Sequence, residues 1–244
     1  MATSENQLIE NDRTAVRSER DEGIMLSGRG TYEVSKRILD ILVSVVALLV
    51  LSPVMAIIAL IIRLESRGPA IFSHVRAGKD GKDFQLYKFR SMHCDAEKKR
   101  GSLKSLNKME GPIFKIEDDP RTTPFGRFLR KSSLDELPQL VNILTGEMSL
   151  VGPRPLVLQD IEAPLHPVQH SNRQEEHLHS LWTKRRVEVK PGLTGLWQVS
   201  GRNCLPLEGW IEFDLKYIES RSFLLDLKIL LRTIPVVLRG KGAL

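Results

Sequence analysis

Apolar and polar positions along the chain set off one dominant block. From Ile41 to Ile62 it is apolar apart from Ser44, Ser52 and Pro53. At ~1.5 Å per residue, a helix of this run is roughly 33 Å long, enough to cross a bilayer core. Two features favour a bend over a crossing. Pro53 lies near mid-run, where it removes a backbone hydrogen bond and kinks a helix. Each resulting arm is ~14–16 Å long and reaches about half-depth. Basic residues also flank both ends, with Arg29, Lys36 and Arg37 before the run and Arg63, Arg67, Arg76, Lys79 and Lys82 after it. The positive-inside rule chooses neither end over the other, unless both ends are cytoplasmic. The pattern therefore predicts a re-entrant helix-break-helix over residues 32–67, broken at Ser52-Pro53. Asp40, early in the run, is expected at the interface beside Lys36 and Arg37 in a structural role.

The remaining segments are less regular. Residues 1–31 are polar, without period, and are expected to be a weakly ordered tail; with no apolar run, they do not read as a secretory signal. Gly68-Pro69 is a turn, and Ala70-Ile71-Phe72 begins a strand. Gly78-Lys79-Asp80-Gly81 reads as a hairpin turn, leading into an alternating strand over Phe84–Phe89 with Gln85 on its polar face. Residues 95–109 are charged and predicted helical. Leu156 to Arg186 reads as irregular surface, and Val187 to Asn203 as glycine-rich turns. Phe223 to Leu238 forms a basic amphipathic pattern interrupted at Pro235, suited either to an anionic membrane face or to packing on the core.

The chemistry concentrates between Arg130 and Pro155. Leu137, Leu140, Val141 and Leu144 recur at helical spacing, Gly146 stands at the expected stop, and Pro138 is tolerable only near the start. Asp135 and Glu136 then fall at or just before the helix N-terminus, where unpaired N–H groups favour ionised carboxylates. Ser133-x-x-Glu136 is also a capping box, which would explain the acids without any function. Cations on both sides speak for chemistry: Arg127, Arg130 and Lys131 precede the pair, and Arg154 follows the helix within Gly152-Pro153-Arg154-Pro155. Carboxylates handling a phosphorylated substrate need such company; a surface cap does not.

Net charge is +6, which suits a phosphate-bearing or anionic partner. Aromatics make up only 6% and are not interleaved with basic residues, which argues against nucleic acid. The two cysteines, Cys94 and Cys204, form neither a zinc spacing nor a disulfide framework.

Leu134-Asp135-Glu136-Leu137-Pro138-Gln139, Met148 to Pro155 and Lys190 to Gly195 closely resemble the motifs of the bacterial sugar transferases, the monotopic phosphoglycosyl transferases. The likeness runs from about Tyr32 to the C-terminus. It implies an α+β, mainly helical, membrane-associated catalytic domain over 68–244 with a small sheet. The implied reaction transfers hexose-1-phosphate from a UDP-sugar to polyprenyl phosphate at the cytoplasmic face of the bacterial inner membrane. Asp135 would be the nucleophile, and Glu136 would help bind Mg²⁺ or handle the acceptor. Lys88, Arg90, Arg130, Arg154 and Arg202 would hold phosphate groups. Anionic lipid is an expected partner, and the reading leaves room for a homodimer. The alternatives are a sugar-only glycosyltransferase releasing UDP and a non-catalytic membrane scaffold.

Overall fold

The computed structural model describes residues 2–101, 116, 119–157, 173–201 and 206–239. It is a mixed α+β structure with one long apolar N-terminal helix and small sheets. Two compact units, Met1–Leu39 and Asp40–Leu244, divide within helix α1, Ala2–Glu65. In the first unit the backbone of residues 2–29 is helical, where the sequence pattern predicts no regular element. Its Glu, Arg and Gln content favours helix locally, without an apolar period to reveal it.

In the second unit, α1 continues through Ser52 and Pro53 as one helix, without a break into two elements. Pro53 cannot donate to the Leu49 carbonyl four residues back. The Ser52 hydroxyl donates to that carbonyl instead, at 2.9 Å. The serine therefore satisfies the acceptor that the proline would orphan, in a pairing that bends helices. The middle of the run is bare, with Leu49 71% and Val50 68% exposed. Ile58 and Ile62, by contrast, are buried with Ala70, Phe89 and Leu129. From Gly30 to Glu65 the helix is long and apolar enough to cross a membrane.

Arg90 finishes α1. Its guanidinium donates to the carbonyls of Ile62, Ser66 and Arg67, to the Ser66 hydroxyl and to Cys94 Sγ. These are carbonyls that a helix end leaves without partners. Gly68 follows at φ +117°, and a Cβ there would lie 2.3 Å from Arg90 Nη1, so the turn and the clamp require glycine together.

Strand β1, Ile71–Ala77, pairs antiparallel with β2, Asp83–Phe89, and Phe84, Leu86 and Phe89 point inward. Short α2, Ala96–Arg100, covers the described part of the predicted 95–109 helix; residues 102–109 lie outside the described residues. Helix α3, Pro124–Ser132, starts on the Thr123 side chain, which accepts from Gly126 N. A 3₁₀ turn, Leu134–Glu136, leads to α4, Gln139–Thr145, which ends at Gly146 in the left-handed region, as its sequence predicts.

The rest, apart from the amphipathic C-terminal helix, was not visible in the pattern. β3, Ser149–Val151, pairs in parallel with β4, Gly192–Thr194. Gly192 and Gly152, which follows β3, meet too closely for a side chain: a Cβ on Gly192 would lie 2.0 Å from Gly152 N. The supposed irregular surface before it contains α5, Arg173–Arg186, whose Trp182 and Arg186 are buried. Short α6, Leu196–Ser200, precedes α7, Leu207–Ser220, and all three tryptophans, Trp182, Trp197 and Trp210, join one core cluster there. Helix α8, Phe223–Arg239, buries Asp226 and Ile229 and packs beside β3 and β4.

Candidate active site

Ser133 sets the site up. It stands in the left-handed region at φ +59° and closes α3, its N–H donating to the Leu129 and Arg130 carbonyls. The chain then turns sharply into the 3₁₀ turn that carries Asp135 and Glu136. The capping box is therefore not made: Ser133 gives this turn no side-chain cap. The two acids stand just before the α4 N-cap, Pro138, within the range that the sequence allows. The stripe of α4 is rotated from that expected. Leu140 and Ile143 are buried, whereas Val141 is 40% exposed, because the helix starts later and turns Asn142 and Ile143 to the core.

Glu136 is tied from two sides. Lys88 Nζ, from the end of β2, donates to its Oε1 at 2.7 Å, and Arg154 Nη2, from beyond β3, donates to the same oxygen at 2.9 Å. Burial alone would raise the Glu136 pKa. Arg154 and Lys88 overcome burial and hold it down at about 2. Asp135 behaves oppositely. Its burial raises the pKa, and the neighbouring Glu136 charge adds to that against the pull of Lys88, Arg130 and Arg154. Among the described residues its carboxylate takes no hydrogen bond. The two acids thus differ: one is a paired anion, and the other is buried, raised in pKa and, among the described residues, without a hydrogen bond.

The remaining candidates separate. Arg130 donates to Thr122 Oγ1 at 3.3 Å and reaches Asp135 only through its field. Arg127 and Lys131 are exposed on α3. Arg90 is committed to the end of α1 and is not brought to the acids. Arg202 lies outside the described residues. Asp40 accepts from Ser149 Oγ and Leu150 N, a structural role with partners that the sequence did not suggest.

Sequence reasoning missed what stands behind Arg154. Arg186 Nη2 donates to the Arg154 carbonyl, and its guanidinium carbon lies 4.4 Å from the centre of the Trp182 ring. Trp182 Nε1 donates to Asp214 Oδ2 at 3.1 Å, and Arg186 Nη1 lies 3.9 Å from that oxygen. Burial raises the Asp214 pKa and lowers that of Arg186, each partly offset by the other. The one available signal was Trp182 among the charges of an otherwise polar segment.

For a metal, no group of three His, Cys, Asp or Glu side chains is gathered among the described residues. A dedicated protein cage is not what Mg²⁺ requires, since it commonly takes one or two carboxylates plus substrate phosphates. Asp135 and the second oxygen of Glu136 fit that pattern.

The chain matches the bacterial sugar transferase family over residues 31–240. It is 44% identical over 214 residues to the galactosyl transferase CpsE of Streptococcus agalactiae, covering 87% of this chain and 44% of that protein. To the undecaprenyl-phosphate galactose phosphotransferase of Salmonella typhimurium it is 41% identical, covering 85% and 41%. To the exopolysaccharide production protein ExoY of Sinorhizobium fredii it is 37% identical, covering 86% and 88%. The chain thus spans under half the length of the first two and most of the third.

The opposed shifts give a pH signature. Glu136 is held below its ordinary 4.5, so its stabilising contribution is complete above that pH and is lost as pH falls toward 2. Glu136→Gln should cost about 2 kcal/mol at pH 7, through two cations left with a weaker acceptor. Thermal unfolding in detergent should show this gap unchanged down to about pH 4.5 and closing below it. A gap that instead widens on acidification would contradict the assignment.

Proposed function

The chain belongs to the bacterial sugar transferase family, and on that premise we propose that it moves a hexose-1-phosphate from a UDP-sugar to polyprenyl phosphate. One observation carries the reading. Glu136 is neutralised by Lys88 and Arg154, while its neighbour Asp135 is buried with a carboxylate that takes no hydrogen bond among the described residues. A nucleophile needs such freedom, and its surroundings need fixed charge.

In the first step an Asp135 oxygen attacks the β-phosphorus. The bond from that phosphorus to the bridging oxygen breaks, UMP leaves with the electron pair, and the phosphosugar remains on the carboxylate as an acyl phosphate. In the second step an oxygen of polyprenyl phosphate attacks the same phosphorus, and Asp135 is regenerated as a carboxylate. Lys88, Arg130 and Arg154 supply positive charge on the side of the acids, which is the main requirement of phosphoryl transfer. Mg²⁺, held by Asp135 and Glu136 together with phosphate oxygens, would neutralise further charge on the diphosphate. Arg202 is kept as a phosphate contact on the strength of the family motif. A true scaffold would have no use for a buried acid surrounded by cations.

The membrane arrangement we propose is re-entrant, on the cytoplasmic face of the bacterial inner membrane. Asp40 near the start of the apolar run bonds to Ser149 and Leu150, and Ile62 at its end accepts from Arg90. All of these partners belong to the one water-facing body, which supports both ends lying on one side, with the bare middle around Pro53 in the lipid. Helix α8 adds a surface contact. Leu224, Leu231 and Ile234 are exposed beside the basic Lys228 and Arg232, a face suited to anionic lipid.

UMP should appear in step with loading of the carrier, and Asp135→Asn should release less than about one-thousandth as much while remaining folded and membrane-bound. Chromatography of the nucleotide product decides the first point, and UDP in place of UMP would establish the sugar-only reaction.

For topology, cysteines placed at Val34 and Leu64, with Cys94 and Cys204 replaced by serine, should react only from the cytoplasmic side. Reaction of either with an impermeant maleimide in intact cells would establish a spanning helix.

A further inference from the structure

Strand β3 is three residues long and runs directly into Gly152-Pro153-Arg154, so its register places the guanidinium that holds Glu136. On one edge it pairs with β4. On the other, among the described residues, no strand meets it. The Leu150 N–H donates there to Asp40 Oδ1 at 2.9 Å, and Ser149 Oγ donates to the same oxygen at 3.0 Å. Asp40, Ser149 and Leu150 are 3%, 0% and 4% exposed, so water cannot take over either bond. A charged residue merely tolerated at the edge of a bilayer would turn to the headgroups. This one is turned into the protein, one turn from Ser44, which is also fully buried.

The second part of the apolar run reaches the same place from another side. Ile58 and Ile62 lie in the cluster against which Leu134 and Leu137 pack, and these two residues bracket Asp135 and Glu136. Both parts of the run are therefore built into the floor of the site, one by a carboxylate on β3 and one by packing under the 3₁₀ turn.

We propose that Asp40 is a positioning residue of the active site: its carboxylate completes the free edge of β3 and thereby holds Arg154 on Glu136, so that seating of the membrane segment and assembly of the acid pair are one event. It acts through the strand and touches no reacting atom. The turnover readout rests on the phosphosugar reading; the exchange readout does not.

The test uses the full chain in nanodiscs. Asp40→Asn keeps an acceptor oxygen in place and should retain most of the turnover. Asp40→Leu keeps the bulk and loses the acceptor. It should remain folded by the emission of the tryptophan cluster, yet lose about 30- to 100-fold in kcat with KM changed less than about threefold, the usual result of an ~1 Å misplacement. Hydrogen exchange of the peptide spanning 148–152 should accelerate at least about tenfold in Asp40→Leu and not in Asp40→Asn. Full turnover by Asp40→Leu, lost turnover with unchanged exchange at β3, or equal damage from Asn and Leu would each overturn the proposal. If Asp40→Leu does not fold, Ser149→Ala decides. It removes one of the two donors and should give about a fivefold loss of kcat with faster exchange, and parental behaviour would overturn the proposal. A parent that releases no UMP would refute the reaction, while exchange at β3 would still decide the role of Asp40.

Discussion

The structure depends on one carboxylate oxygen receiving two cations. Lys88 arrives on Glu136 from a hairpin, and Arg154 arrives from the end of a buried parallel pair. Neither cation is near the acid in sequence, so the contact requires both sheets and the 3₁₀ turn to be in place. Buried charge is costly unless it is paired and hydrogen-bonded. Here the pairing is good enough to hold Glu136 far below its ordinary range despite burial. Asp135 is raised by its own burial and then by the Glu136 charge, against the pull of the cations, and takes no hydrogen bond among the described residues. Two adjacent acids thus acquire different chemistry from their surroundings alone.

Much of the remaining fold keeps Arg154 in position. Gly152 and Gly192 approach so closely that neither could carry a side chain, which brings β3 onto β4. Tyr217 Oη lies 3.1 Å from the Val151 carbonyl. Arg186 donates to the carbonyl of Arg154 itself, and it is stacked on Trp182 and faces Asp214. On the Lys88 side, Asn142 accepts from Tyr87 N and donates to the Gln85 carbonyl, tying β2 to α4. Each is a polar contact of specific geometry in a buried or partly buried place, where low local polarity strengthens it.

The legible parts of the sequence were those with a strong local signature. The apolar run, the hairpin with its glycine turn, the stop at Gly146 and the Asp135-Glu136 pair were all visible. Several others were not, for identifiable reasons. β3 and β4 are three residues each, too short to show alternation, and they are specified by the contact of Gly152 with Gly192 across the chain. Helix α5 is charged nearly all round, so only its packing shows that Trp182 and Arg186 face the core. Arg90 resembles Lys88 in sequence, two positions away on the same strand end, but it serves the carbonyls of α1 while Lys88 serves Glu136. Only the strand register and the neighbouring turn at Gly68 separate the two roles. The partner of Asp40 lies more than a hundred residues along the chain, beyond the reach of any local pattern.

The central claim is that Asp135 is the covalent acceptor and Glu136 the pinned anion beside it. The most direct measurement is the intact mass of the protein after exposure to a UDP-hexose that supports turnover, with polyprenyl phosphate withheld, followed by mapping of the modified peptide. The account predicts an increment of one hexose phosphate carried by Asp135, discharged when polyprenyl phosphate is added. Modification at Glu136 or elsewhere, or complete turnover without any adduct at Asp135, would contradict it.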